Sequence, residues 1–338
     1  MAQGMTWRGV RVLLAAVVMV AIPPASARDA VSGAAQSASR PLEQRDGSPE
    51  SHNAAAFWRD VRSGEAGHTQ IRGAEAGVLV DPRGVTWREL RNGPITVYGG
   101  VLILAAALAI WQLHLRRGPI RLSGPATGRM IMRFSNWERM VHWLVAVSFV
   151  LLGLTGLIML FGRHGLIPFI GHVGFSWLAG FAKNCHNFVG PLFGVAVVAM
   201  LITFARDNIW QSCDALWIRR AGGLLRRQHV PSMRFNFGEK TWFWLGVFLL
   251  GTTQIASGLM LALPNLFDTR WEMQAASVVH LISAIVMIAL SLGHIYMGTV
   301  GVDGAYGSMI SGEVDERWAK DHHEYWLAEL KRRQAREK

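Results

Sequence analysis

Cysteine is nearly absent from this chain: 338 residues hold two, Cys185 and Cys213. No CxxCH occurs, which excludes covalent c-type haem through that motif. Two thiols cannot hold an iron–sulfur cluster within one chain. Charge is scarce as well, 17% of residues against 51% hydrophobic, too little for an ordinary soluble domain of this size. There is no glycine-rich phosphate loop, no pterin, nucleotide or metal-hydrolase signature and no Ser/His/Asp constellation. The chain therefore carries no nucleotide-dependent or hydrolytic chemistry of its own. Acidic residues are the scarcer sign, 23 against 34 basic, for a net charge of +11. That balance by itself points to nucleic acid or to an anionic membrane surface, and its distribution decides between them.

The start reads as a secretory signal, residues 1–27. Arg8 and Arg11 precede an apolar run from Val12 to Ile22, followed by Pro23, Pro24 and an Ala-x-Ala-like Ala25-Ser26-Ala27. The run is shorter than the ~20 residues that span a bilayer; the alternative is an uncleaved anchor. Either way the next segment is exported, which implies a bacterial inner membrane. Residues 28–94 are rich in Ala, Gly, Ser and charge, and read as a partly disordered periplasmic arm. Within it Val78-Leu79-Val80, Asp81-Pro82-Arg83-Gly84 and Val85-Thr86-Trp87 read as a hairpin around a turn, either a linker or a docking strand for an exported partner.

Five apolar segments follow, roughly 95–115, 138–161, 187–205, 241–263 and 276–300. The first loop carries Arg116, Arg117, Arg121, Arg129 and Arg133. The third carries Arg206, Arg219, Arg220, Arg226, Arg227 and Arg234. The tail carries Lys331, Arg332, Arg333, Arg336 and Lys338. The second loop, 162–186, and the fourth, 264–275, carry few positive charges. Alternate loops are thus basic, as the positive-inside rule requires: the arm outside, the C-terminus cytoplasmic. This placement uses most of the +11 without nucleic acid, and sets Cys185 and Cys213 on opposite sides, which argues against a disulfide. The tail from Trp318 to Glu337 reads as an amphipathic helix near the cytoplasmic surface.

Ionisable groups at membrane depth are functional hypotheses by default. Four histidines sit in or at the edges of the last four spans: His142, His186, His280 and His294. Topology gives their depths. His186 and His280 lie near the periplasm, and His142 and His294 near the cytoplasm. His280 and His294 share a helix face about four turns apart, roughly 21 Å at 1.5 Å per residue. Neutral imidazole is a good iron ligand, and a b-type haem between two helices takes one histidine from each. Depth therefore pairs His186 with His280 and His142 with His294. Two axial imidazoles leave no open position on iron, which suits electron transfer. Gly153 and Gly156 after His142, and Gly190 and Gly194 after His186, present small faces to a macrocycle or to a packed helix. His164 and His172 read as solvated loop residues, His322 and His323 as surface or partner contacts, and Met200, Met287 and Met297 as packing.

At these residues the chain resembles the cytochrome b (gamma) subunit of respiratory formate dehydrogenases. The resemblance lies in Arg139-Met140-Val141-His142-Trp143, Cys185-His186-Asn187-Phe188-Val189-Gly190, Val279-His280, His294-Ile295-Tyr296-Met297, Phe235-Asn236-Phe237-Gly238-Glu239-Lys240 and Trp318-Ala319-Lys320-Asp321-His322-His323. It covers roughly residues 130–330. It implies two haem b groups with the pairing above, and a quinone site near His294 at Asn236 and Gly238. Lys240 would assist there or mark the membrane boundary, and Glu239 would relay protons. The resemblance also implies an iron–sulfur beta subunit and a molybdenum or tungsten catalytic alpha subunit facing the periplasm. The signal-like start, arm and first span depart from short members of that family; longer members look similar, including the stretch from Trp87 to Gly93.

The expected architecture is all-α: an extra transmembrane helix at 95–115, a four-helix di-haem core at 130–305 and a cytoplasmic amphipathic tail at 306–338. The expected role is to carry electrons from the iron–sulfur subunit to membrane quinone. The rivals are a cytochrome b serving a nickel–iron hydrogenase or a thiosulfate reductase and, in another class, a transporter or scaffold whose histidines bind metal or protons.

Overall fold

The computed structural model describes residues 82–223, 229–266 and 269–337, together with Arg59 and Ser63. The signal-like start, nearly all of the arm and the first half of the expected hairpin lie outside these residues. The expected second half, Val85–Trp87, is not a strand. It belongs to helix α1, Pro82–Leu90, because proline at a first helical position presets φ and forfeits no hydrogen bond there.

Among the described residues, five helices are long and apolar enough to cross a membrane: Arg83–Arg117, Asn136–Gly165, Ile167–Phe204, Phe237–Ala262 and Arg270–Gly301. Every expected span is present and extends past its apolar window. The first joins α1 to α2, Thr96–Arg117, through a π-helical turn at Arg91–Ile95 that contains Pro94. Proline lacks the N–H of a regular turn, and the Thr96 hydroxyl donates to the Arg91 carbonyl. α3, Asn136–Gly165, opens on a capping box in which Ser135 and Glu138 satisfy each other's backbone N–H. α4, Ile167–Phe204, follows after one residue and turns at Gly171, whose φ of 69° favours glycine. The expected loop 162–186 is therefore mostly helix. His164 ends α3, His172 lies in α4, and His186 sits in mid-helix rather than at the start of a span. A helix that projects beyond the hydrocarbon loses its apolar signal without losing its hydrogen bonds.

After α4 come α5, Ser212–Arg219, and α6, Phe237–Thr241. A π-helical stretch, Trp242–Leu250, joins α6 to α7, Gly251–Ala262. α8, Arg270–Tyr296, ends in a π-helical turn at Met297–Gly301. The tail holds α9, Gly307–Ile310, α10, Glu316–His322, and α11, Glu324–Arg336. The expected single amphipathic helix is thus two, broken at His323. A short antiparallel pair joins β1, Met130–Met132, to β2, Glu313–Asp315.

The chain divides into two compact units. One comprises the described residues up to Val97 with Ala256–Ile282, the other Tyr98–Ile255 with the chain from Ser283 onward. In the first, Met260 packs with Ala275 and Ala276. In the second, α3, α4, the Trp242–Leu250 stretch and α8 share one core built from Val141, Phe193, Val197, Met200, Phe204, Phe243, Val247, Leu250 and Met287. Met200 and Met287 are packing residues, as expected. α2 meets α8 where Gly99 faces Ile285 with no room for a Cβ. A separate core seats the tail: Val314, Trp318, Ala319, Trp326 and Leu327 against Leu122 and Ile131. Large apolar side chains such as Leu104, Trp177, Phe188 and Ile202 point outward, a surface suited to lipid rather than water.

Candidate functional site

α3 and α8 bring His142 and His294 together. Their ring centroids are 6.2 Å apart, with planes inclined by 54°. The His142 Nδ1 is buried and has no hydrogen-bond partner, and burying such a group costs about 1–3 kcal/mol. Two imidazoles on opposite sides of one metal, with nitrogen–metal bonds of about 2.0–2.1 Å, place their centroids about 6.3 Å apart. The observed spacing therefore fits axial ligation of a single iron. Around the pair, a Cβ at Gly293 would meet nothing within 4 Å, and one at Gly153 would only graze Ile288 at 4.0 Å. Trp242 stacks on the His294 ring at 5.0 Å and 16°, which restrains its orientation. Among the described residues no group of three or more His, Cys, Asp or Glu is placed to hold a bare metal ion.

The other two histidines are gripped by a repeated device, each within its own unit. The His186 Nδ1 lies 2.9 Å from the Thr155 hydroxyl, which donates to the Leu151 carbonyl at 2.8 Å and so turns a lone pair to the ring. A Cβ on the next residue, Gly156, would lie 3.6 Å from the His186 Cε1. The His280 Nδ1 lies 3.0 Å from the Ser257 hydroxyl, and a Cβ on Gly258 would lie 3.4 Å from the His280 Cε1. A hydroxyl thus sets the orientation of each ring, and the glycine that follows it lies against the ring edge at contact distance. Partners of this kind orient imidazole ligands and raise their basicity. Thr155, Ser257 and Trp242 were not among the expected site residues; the Thr-Gly and Ser-Gly pairs inside apolar spans are the signal that marks two of them. One turn after His186, a Cβ at Gly190 would meet nothing within 4 Å.

Asn236 and Gly238 lie where the fourth span begins. Asn236 caps α6: its Oδ1 accepts from the Glu239 N–H at 3.0 Å, and the Glu239 carboxylate accepts from the Asn236 N–H at 2.8 Å. The donor side of the Asn236 amide is its Nδ2. A Cβ at Gly238 would press on the Trp217 ring at 3.1 Å. Glu239 also accepts from Arg133 at 2.9 Å, and its carboxylate lies 4.0 Å from the His323 Nε2. Arg133 is itself buried, with its guanidinium 4.8 Å from the rings of both Phe134 and Trp318, and burial lowers its pKa. Lys240 is buried in an ion pair with Asp214 at 2.7 Å. His323, expected at the surface, is 1% exposed. Burial pushes its pKa down to about 3 and that of His322 to about 4, where a nearby His229 adds to the effect. Cys185 and Cys213 are both free.

Comparison with known proteins gives the chain its relatives. The chain is 27% identical to the formate dehydrogenase cytochrome b556(fdo) subunit of Escherichia coli (strain K12) over 212 residues, 60% of this chain and 94% of that protein. It is 27% identical to the nitrate-inducible formate dehydrogenase cytochrome b556(Fdn) subunit of the same strain over 220 residues, 62% of this chain and 95% of that one. The formate dehydrogenase cytochrome b556 subunit of Haemophilus influenzae is 26% identical over 211 residues, 59% and 83% of the two chains. The family model of the prokaryotic cytochrome b561 matches residues 133–312, more than half of the length, and these contain all four span histidines. With five membrane-length apolar helices and that match, the chain belongs to the prokaryotic cytochrome b561 family and is an integral membrane protein that binds haem b.

Proposed function

We propose that this chain is the membrane-anchoring di-haem cytochrome b subunit of a formate dehydrogenase, carrying electrons from a periplasmic iron–sulfur subunit to membrane quinone. The opposed His142–His294 pair carries the reading, and the three named relatives supply the donor. His142 and His294 would hold one haem b. His186 and His280, paired by depth in the sequence and each braced by a hydroxyl, would hold the second. Haem b, when bound, supplies reversible one-electron transfer. The chain's own part is to orient the imidazoles through Thr155, Ser257 and Trp242 and to present two of them to each iron. Asn236 and Gly238 would bind the quinone, the Asn236 amide and the backbone N–H groups donating to its oxygens.

The arginine-rich loops give the orientation: a multi-pass protein of the bacterial inner membrane with the arm periplasmic and the C-terminus cytoplasmic. The partners are an iron–sulfur beta subunit and a molybdenum or tungsten alpha subunit. A reduced-minus-oxidised spectrum of the purified protein tests the reading. It should show b-type bands with haem near two per chain, and His294→Ala should remove one haem and leave the other. Absence of haem overturns it, as does full haem content in that variant.

A further inference from the structure

The tail histidines lie apart from the candidate haem residues, and one of them is buried beside the candidate quinone loop. The His323 Nδ1 donates to the Met233 carbonyl at 2.7 Å. Its basic nitrogen is therefore Nε2, and Nε2 points at the Glu239 carboxylate 4.0 Å away. A proton arriving on Nε2 would therefore lie beside that carboxylate. Glu239 gives Arg133 its Oε1. Its other oxygen, Oε2, faces His323 and accepts from the Asn236 N–H at 2.8 Å. The carboxylate thus lies between the buried imidazole and the residue assigned to quinone, and its side chain is still 35% exposed.

The route continues outward. The His322 Nε2 is buried without a hydrogen-bond partner. Its ring lies 5.1 Å from the Trp318 ring, which also covers His323 at 5.0 Å. On its other side His322 meets His229 at 5.3 Å, and His229 is exposed. The charged and titratable groups facing His323 are Glu239, Arg133 and His322; those facing His322 are His229, Asp321, Glu239 and Arg133. Asp321 is committed elsewhere, accepting from the Ser123 N–H and hydroxyl at 2.8 Å each.

We propose that His229, His322, His323 and Glu239 form a proton path from the surface beneath the tail to the quinone bound at Asn236. The proposal rests on the quinone reading above. Reduction of a quinone to its quinol consumes two electrons and two protons. Formate oxidation in the partner subunit supplies the electrons, giving carbon dioxide and a proton outside. At the quinone, the O–H bond of protonated Glu239 breaks as a quinol O–H bond forms. The His323 Nε2 takes up a proton delivered from bulk water by way of His322 and His229 and passes it to the Glu239 carboxylate, its Nδ1–H staying on the Met233 carbonyl; a second proton follows the same route to complete the quinol. Burial keeps both tail imidazoles neutral at pH 7, so they pass protons on without storing them.

The test uses the purified complex reduced with formate and mixed rapidly with decylubiquinone or with ferricyanide, which accepts an electron and no proton. His323→Asn keeps a side-chain donor for the Met233 carbonyl and has no titratable nitrogen. The ratio of quinone to ferricyanide reduction should fall roughly 100-fold, the usual size of a lost proton-transfer group. In His323→Ala, added imidazole should restore part of that ratio. A ratio within about twofold of wild type in His323→Asn, with its haem spectrum intact, overturns the path. If that variant loses haem, His322→Asn and Glu239→Gln decide by the same ratio. A wild-type complex that reduces ferricyanide and no quinone overturns the quinone reading itself, and the path with it.

Discussion

Removing the Lys240 ammonium should cost more stability than any surface charge in this protein. Lys240 is 3% exposed and Asp214 1%, with nitrogen and oxygen 2.7 Å apart. At that distance the attraction is about 6 kcal/mol for an effective dielectric near 20, offset by the desolvation of both ions. Lys240→Met leaves a buried carboxylate that still accepts from the Gln211 N–H at 2.8 Å but has lost its counter-ion. Breaking a buried pair in this way costs about 3–5 kcal/mol. Asp214→Leu should cost at least as much, because it also removes the carboxylate that accepts from the N–H of Gln211, the N-cap of α5, a capping bond worth about 1 kcal/mol. The double variant, Lys240→Met with Asp214→Leu, leaves no orphan charge. It should recover to within about 1–2 kcal/mol of wild type, the lost cap accounting for most of the remainder. The assay is thermal or denaturant unfolding in detergent followed by haem absorbance, with all four proteins compared as a cycle. Single variants that each lose less than about 1 kcal/mol, or a double variant whose loss is the sum of the two, would refute the reasoning.

Other outcomes follow from the same structure. Thr155→Val removes the hydroxyl that orients His186; haem at that site should dissociate roughly 10- to 100-fold more readily, while the His142–His294 haem, read by its own band, should be retained. The tail should loosen in acid. His323 and His322 have folded pKa values pushed down to about 3 and about 4 from 6.5, so the unfolded tail binds more protons. Their contribution is present above pH 6.5 and is lost as pH falls toward those values. The loss is about 2 kcal/mol from each at pH 5, and limited proteolysis of α11 at pH 8 and pH 5 reads it. Equal protection at both values would refute the assignment.

Much of this architecture was legible in one dimension. Span length, arginine-rich loops and the depth of each histidine are properties of position along the chain, because the bilayer sorts residues by depth alone. They were enough to pair His142 with His294. Where the apolar signal faded, the reading failed. Residues 162–186 read as loop because helices that leave the hydrocarbon turn polar. Val85–Trp87 read as strand because a proline beside an aspartate marks a turn as readily as a helix start. His322 and His323 were assigned to the surface because a charged tail rarely has a core, and this one gains its core only by laying Trp318 and Trp326 against Leu122 and Ile131.

The sequence by itself determined the membrane class, the five spans and the four imidazoles with the arginine-rich loops on one side, since hydrophobic length and charge sign need no partner to act. Only the tertiary structure decided which groups attend those imidazoles. Thr155 meets His186 across 31 positions of sequence and Ser257 meets His280 across 23, contacts set by how each helix is rotated about its own axis. The same holds for Trp242 on His294, Lys240 on Asp214 and His323 beneath Glu239. A helix's rotation is chosen by the sum of its packing, and no local pattern along the chain encodes it.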